Sequence, residues 1–249
     1  MAAKQRADVA LVERGLVESR SKAQALIMAG KVFSLETKIT KAGQPIKEDQ
    51  PLEVRGNDHP WVSRGGLKLV KGIETFGVSF DGAVVLDVGA STGGFTDVSL
   101  HHGAVKVYAV DVGRGQLAWK LREDARVVVL ERTNARYITD EIVPDMVDIV
   151  VCDASFISLK TVLPAALARV KAGGQLIALI KPQFEVGKDN VGKGGVVRDP
   201  ELHRAVCDDI SDWLNTLEGW QAKGLTESPI KGPEGNIEFL IHGVKTHAS

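Results

Sequence analysis

"AVVLDVGASTGGFTD", residues 83–97, decides the fold. Ala83 to Val88 is an apolar, β-branched run of strand length, with Asp87 near its end. Gly89, Gly93 and Gly94 then crowd a turn that runs through Phe95 into a helix. Glycines at such a turn permit tight folding and the close approach of a ligand to the backbone. A second strand, "KVYAVDVG", ends in Asp111, 22 residues beyond Gly89. That is about where doubly wound folds set a carboxylate against ribose hydroxyls.

The loop spacing is G-x-S-x-G-G, with Ser91 at the second glycine position of a dinucleotide fingerprint and an acid in front. A pyrophosphate needs that glycine. A cationic sulfonium with an amino acid tail suits the acidic rim better, so the loop is expected to hold S-adenosylmethionine (SAM).

"RVVVL", "VDIVVCD" and "GQLIALIKP" are further strand-length runs, with helix-capable stretches between them, notably Thr161 to Lys171. Continuous apolar runs mean strands buried on both faces, hence a parallel sheet in βα alternation. "GWQAKGLTES" and "NIEFLIHG" add two strands, joined as an antiparallel hairpin through "IKGPEGN". The class is α/β, a mostly parallel seven-stranded sheet.

Strand carboxyl ends share one edge of such a sheet, where ligands bind. Asp87, Asp111, Asp153 and Lys181 all fall there, and Glu238 joins them if the last strand runs antiparallel. Lys68 stands on a helix entering the domain, with little cover expected beside Gly65 and Gly72. A salt-bridge network would explain two lysines and two carboxylates, but desolvation makes buried ion pairs weak stabilisers. At a cofactor rim, perturbed groups point to chemistry. The chemistry that fits is deprotonation of a hydroxyl that attacks the SAM methyl. Lys181 has an ordinary pKa near ~10.4, so a neutral base near pH 7 needs a shift of ~3 units. Desolvation and Lys68 would push that way, against the charge of Asp153 and Glu238.

The front of the chain differs. Residues 1–71 hold 13 Lys/Arg against 8 Asp/Glu, and residues 72–249 hold 18 against 24. A basic front within a net charge of −1 suggests a polyanionic partner. Two short helices are expected there: Leu11 and Val12 on the apolar face of the first, which Gly15 stops, and Ser19 or Ser21 capping the second. Ala25, Leu26 and Met28 mark the second helix's apolar positions before Gly30. "KVFSL" and "PLEVR" read as short strands, and residues 56–66, "GNDHPWVSRGG", as a linker.

Two cysteines, Cys152 and Cys207, make neither a metal spacing nor a disulfide framework, which points to a reducing cytoplasm. No signal peptide is evident, and no apolar run reaches the ~18 residues of a membrane span.

With these residues in place, the chain resembles the TlyA family, bacterial 2′-O-ribose methyltransferases of ribosomal RNA. "DVGASTGGFTD", "DVGRGQLAW", "VLERTNAR", "CDASFISL", "KPQFEVGK", "GGVVRDP" and "GNIEFL" carry the resemblance along essentially the whole chain. Similarity to the wider FtsJ-type methyltransferases implies a Rossmann-like class I fold and a Lys–Asp–Lys–Glu tetrad at Lys68, Asp153, Lys181 and Glu238. The implied cofactor set is Asp87, Gly89, Ser91, Gly93, Gly94, Phe95, Asp111 and Asp153, without a metal. The front resembles the small α+β RNA-binding domain named after ribosomal protein S-four. Arg6, Arg14, Arg20, Lys22 and Lys31 are its expected phosphate contacts, with Arg64 in the linker. The implied organisation is 1–58 for RNA binding, 59–66 as linker and 67–249 for methyl transfer. Cytidines of 23S rRNA are the implied targets, and in some members 16S rRNA as well. Members acting on both tend to have longer tails than the eleven residues after Glu238.

Three alternatives stay open at this point. Relatives carry the label hemolysin, which names a membrane-lytic protein. A non-catalytic RNA-binding protein and a nicotinamide-dependent oxidoreductase are the others. Trp61 would stack on a base if exposed and would anchor the linker if buried. Residues 183–199 form a long Gly- and Lys-rich loop that either closes over RNA or simply moves.

Overall fold

The computed structural model describes residues 4–17, 19–55, 59–187, 190–232 and 235–246. Two cores build it. At the front, β1 (Lys4–Arg6), α1 (Ala7–Glu13), α2 (Arg20–Met28), β2 (Val32–Ser34), β3 (Thr37–Lys38), β4 (Pro45–Lys47) and β5 (Glu53–Val54) enclose Ala10, Leu11, Ala23, Ile27, Val32 and Ile46. β1 pairs with β4, and β2 lies between β3 and β5, all antiparallel. Ser19 caps α2 by accepting from the Lys22 amide at 3.2 Å. The buried face of α2 is Ala23 and Ile27, whereas the expected Met28 is exposed. Ala25 is exposed as well, and Leu26 is only partly buried.

The larger core is a seven-stranded sheet: β6 (Val84–Val88), β7 (Lys106–Val110), β8 (Val127–Leu130), β9 (Val147–Cys152), β10 (Val170–Ile180), β11 (Trp220–Glu227) and β12 (Phe239–Lys245). Its order is β11-β12-β10-β9-β6-β7-β8. Strands β6 to β10 pair in parallel, and β12 lies antiparallel between β10 and β11, which makes the expected hairpin. Both faces are covered, as β10 shows: Leu176, Ala178 and Ile180 enter one cluster, and Ile177 and Leu179 the other. Side chains alternate across a strand, so a continuous apolar run fills two cores at once.

Helices α3 (Gly65–Phe76) and α4 (Gly94–His101) cover one face, with Leu69, Ile73, Phe95 and Val98 buried in it. α5 (Trp119–Arg122) follows β7, and α6 (Leu159–Val162) with α7 (Pro164–Ala168) precedes β10. The expected helix over residues 161–171 is thus two short ones, because Pro164 lacks an N–H and starts its own turn. α8 (Pro182–Glu185) follows β10, and α9 (Pro200–Thr216) covers the second face through Val206, Cys207, Ile210 and Leu214. The strand order reverses between the parallel neighbours β6 and β9, where the crevice opens.

Candidate active site

The glycine loop sits at that reversal. Gly89 takes φ +80°, and a Cβ there would lie 2.8 Å from the Ala154 Cα after β9, so only glycine lets the two strand ends approach. Ser91 also takes a left-handed conformation (φ +47°) and donates its amide to Asp111 Oδ2 at 2.8 Å. The Gly113 amide donates to the other oxygen at 2.7 Å. Asp111 therefore holds the loop while keeping unused lone pairs. A cleft of about 430 Å³ runs from Asp111 past Asn134 and Ala135 to Asp153 and Phe156. Gly93 and Gly94 start α4 behind the loop; Gly94 and Phe95 border a second, smaller cavity by the lysines.

Asp87 is placed otherwise than expected. It is fully buried, accepts from Thr96 Oγ1 at 2.6 Å, and lines neither cavity. Burial, reinforced by the charges of Asp153 and Asp111 against the Thr96 hydrogen bond, pushes its carboxyl up to about 7. It ties β6 to the first turn of α4 through Thr96.

The four tetrad side chains converge. Lys181 Nζ lies 2.6 Å from Asp153 Oδ1 and donates to the Asp153 carbonyl at 3.1 Å and to Ser155 Oγ at 2.9 Å. Lys68 Nζ donates to Glu238 Oε2 at 2.6 Å and lies 3.7 Å from Asp153 Oδ2. Lys68 is buried rather than uncovered. Its glycine neighbours serve close packing: a Cβ on Gly72 would press Ile177 at 3.0 Å, and one on Gly65 would stand 3.6 Å from Asp153 Oδ2. Glu238 directly precedes the antiparallel β12, which brings it to the shared rim.

Desolvation pulls the Lys181 pKa down, but the attraction of Asp153 and Glu238 outweighs it, so the net direction is up. Burial likewise pushes Asp153 up, and Lys181 and Lys68 overcome it, leaving Asp153 below the usual carboxylate range. The net direction that the sequence left open is thereby decided: Asp153 at contact distance, with Glu238 acting through its charge, outweighs burial.

The basic residues divide. Arg6 and Arg20 flank Asp8 at 3.0 and 3.1 Å with their side chains half exposed, and Lys22 and Lys31 are exposed. Arg64 borders the cavity at the domain junction. Arg14 is instead buried, donating to the carbonyls of Gln50 (2.5 Å), Lys47 (3.0 Å) and Glu48 (3.3 Å). It bolts the front domain together and offers no guanidinium to phosphate. Its own carbonyl accepts from Thr92 Oγ1 in the glycine loop, so the front domain docks on that loop. Trp61 is half-buried, edge-on to His101 at 5.1 Å and against Gly66, an anchor of the linker. The 183–199 segment is tied down where it is described: Val196 and Val197 are buried, and Asn236 holds Val197 N at 3.1 Å and the Gly195 carbonyl at 3.0 Å. Residues 188–189 lie outside the described residues.

Two site residues had drawn no role from the sequence. Ser155 engages Lys181, and Phe156 is 90% exposed at φ +65°, its ring 5.2 Å from Phe184. A left-handed, solvent-facing phenylalanine beside the lysine–carboxylate rim is a strained feature of the kind that clusters at functional sites. Only the adjacency to Asp153 signalled it.

Comparison with known proteins accords with this geometry. The FtsJ-like methyltransferase family matches residues 61–245, and the S4 domain matches residues 5–51. The 16S/23S rRNA (cytidine-2′-O)-methyltransferase TlyA of Mycobacterium tuberculosis is 48% identical over 242 residues, 97% of this chain and 90% of that one. Hemolysin A of Brachyspira hyodysenteriae is 44% identical, covering 95% and 98%. A solved structure described as a hemolysin from Streptococcus thermophilus superposes with a TM-score of 0.80 at 42% identity, covering all of this chain and 90% of that one. No helix among the described residues is long and apolar enough to cross a membrane. The family match over most of the chain, the near-full-length relatives and the rim at the sheet's reversal agree: this chain belongs to the FtsJ-like methyltransferases, in the TlyA family, with an S4 domain in front.

Proposed function

We propose that this protein methylates the ribose 2′-hydroxyl of a cytidine in ribosomal RNA, using SAM, with Lys181 activating the hydroxyl. The observation that carries the reading is the convergence of Lys68, Asp153, Lys181 and Glu238 beside the Asp111 cleft. The cleft fits the cofactor: its volume lies in the range of about 300–1,000 Å³ usual for small-molecule sites, Asp111 offers free lone pairs to a ribose, and Gly89 leaves space a side chain would fill. When bound, SAM supplies an electrophilic methyl on a cationic sulfur.

The residues then do the rest. Asp153 orients Lys181, Glu238 orients Lys68, and both lysines stand at the Asp153 carboxylate. The hydroxyl proton must leave as the oxygen–carbon bond forms, and Lys181 takes it only when neutral. Because the carboxylates hold Lys181 as an ammonium, it sheds a proton to solvent first. Phe156 offers an exposed aromatic face at the rim for a base turned out of its stack. The front domain supplies phosphate contacts through Arg6, Arg20, Lys22 and Lys31, with Arg64 nearer the rim. Ribosomal RNA places the reaction in the cytoplasm.

The test is transfer of labelled methyl from SAM to separate, unmethylated ribosomal subunits by wild type and Lys181→Ala. Label in large-subunit RNA with wild type alone supports the reading, and label in the small subunit extends it to 16S rRNA. No transfer to either subunit by a wild type that binds SAM overturns it.

A further inference from the structure

We propose that Glu13, at the end of α1 in the S4 domain, binds the cationic amino acid end of the cofactor. The inference rests on the SAM reading above. The cleft at Asp111 and the cavity at Lys181 are two spaces with a common seam, walled by Gly89, Ser91, Asp153, Ser155 and, from the other domain, Glu13. A cofactor with its ribose at Asp111 and its methyl facing Lys181 must cross that seam. The part that crosses is the sulfonium with its ammonium-bearing tail.

Asp153 is already engaged there by Lys181 and Lys68. Glu13 is exposed and makes no hydrogen bond or salt bridge among the described residues. Its neighbour Arg14 spends its guanidinium on three carbonyls. A carboxylate at this place repels RNA phosphate and attracts a cation. Its position is also held. The Arg14 carbonyl accepts from Thr92 of the glycine loop, and Gly115 meets Asp49 so closely that a Cβ would collide with it. The S4 domain is thereby a wall of the cofactor site as well as an RNA-binding module.

Calorimetric titration of the full chain with SAM, with S-adenosylhomocysteine, which keeps the charged tail on a neutral thioether, and with 5′-methylthioadenosine, which lacks both the tail and the sulfonium charge, tests this; the loss expected for SAM applies equally to S-adenosylhomocysteine. Glu13→Gln is expected to weaken SAM about 5- to 20-fold, the scale of one lost charge-assisted hydrogen bond, and to leave methylthioadenosine unchanged. Glu13→Asp, which keeps the charge, is expected to fall between the two. SAM affinity in Glu13→Gln within twofold of wild type overturns the proposal. Equal weakening of SAM and methylthioadenosine also overturns it, since Glu13 would then only shape the cleft. A wild type that binds no SAM removes the cofactor reading itself, and the proposal with it.

Discussion

Two clusters in this protein share one plan, a carboxylate between two cations, and invert its burial. In the S4 domain, Asp8 is buried while Arg6 and Arg20 are 53% and 56% exposed. At the rim, Lys68 and Lys181 are both 7% exposed and Asp153, between them, is 21% exposed. The first arrangement pins two arginine stems and leaves their permanent charge facing solvent, where a phosphate can meet it. The second removes two lysines from water and sets them against carboxylates. Arginine cannot shed its proton in a protein, whereas lysine can. Recognition of a polyanion calls for the first chemistry and proton transfer for the second.

The largest expected break of this contrast is Lys181→Ala. Methyl transfer should fall about 10²- to 10⁴-fold, the usual share of a general base, with SAM binding retained by calorimetry. In wild type, the transfer rate under saturating substrates should rise with pH through the neutral range, because the Lys181 pKa is held up. A rate flat between pH 6 and 9 (an assay range of about three units) would show that no such proton has to leave first.

Asp87 sharpens the contrast next, as a buried acid with no cation. Its folded-state carboxyl titrates at about 7, above its ordinary value, so the unfolded chain ionises first and wild type loses stability as pH rises from about 4 to about 7. Asp87→Asn keeps an acceptor for Thr96 and has no charge to bury. Its stability advantage should grow across that window by about 4 kcal/mol and level off above it, as denaturant unfolding at several pH values would show.

Asp8 behaves with the opposite sign. The Arg6 hydrogen bond, opposed by burial and aided by Gln24 and Arg20, holds its carboxylate below the ordinary range. Its contribution is present above the unfolded pKa and is lost as pH falls further. Asp8→Asn should cost the S4 domain about 2 kcal/mol near neutral pH, read as faster amide exchange in α1 and α2. The smallest effect belongs to Arg20→Ala. RNA affinity should weaken about fivefold, with a salt slope shallower by about 1 for one lost phosphate contact, and the rate at saturating RNA should hold.

The sheet was legible in advance because its strands are continuous apolar runs, a signal that survives without knowledge of neighbours. The hairpin of β11 and β12 followed from its turn residues. α9 drew no particular notice, although Asp199 accepts from the Glu201 amide ahead of Pro200 and buried residues recur at His203, Val206, Cys207, Ile210 and Leu214. β1, β3 and β4, two or three residues each, are too short for any periodicity to register.

Residue types and spacing by themselves determined which groups end strands: Asp111, Asp153 and Lys181, with Glu238 at the head of an antiparallel return. Strand polarity alone puts such residues on one edge. Tertiary structure decided everything that depends on distance and cover. It buried Arg14 among carbonyls, turned Asp87 onto Thr96 of α4, covered Lys68, and set two carboxylates close enough to Lys181 to outweigh desolvation. Charge interactions fall off over a few ångströms and change with burial, and neither quantity is written along a chain.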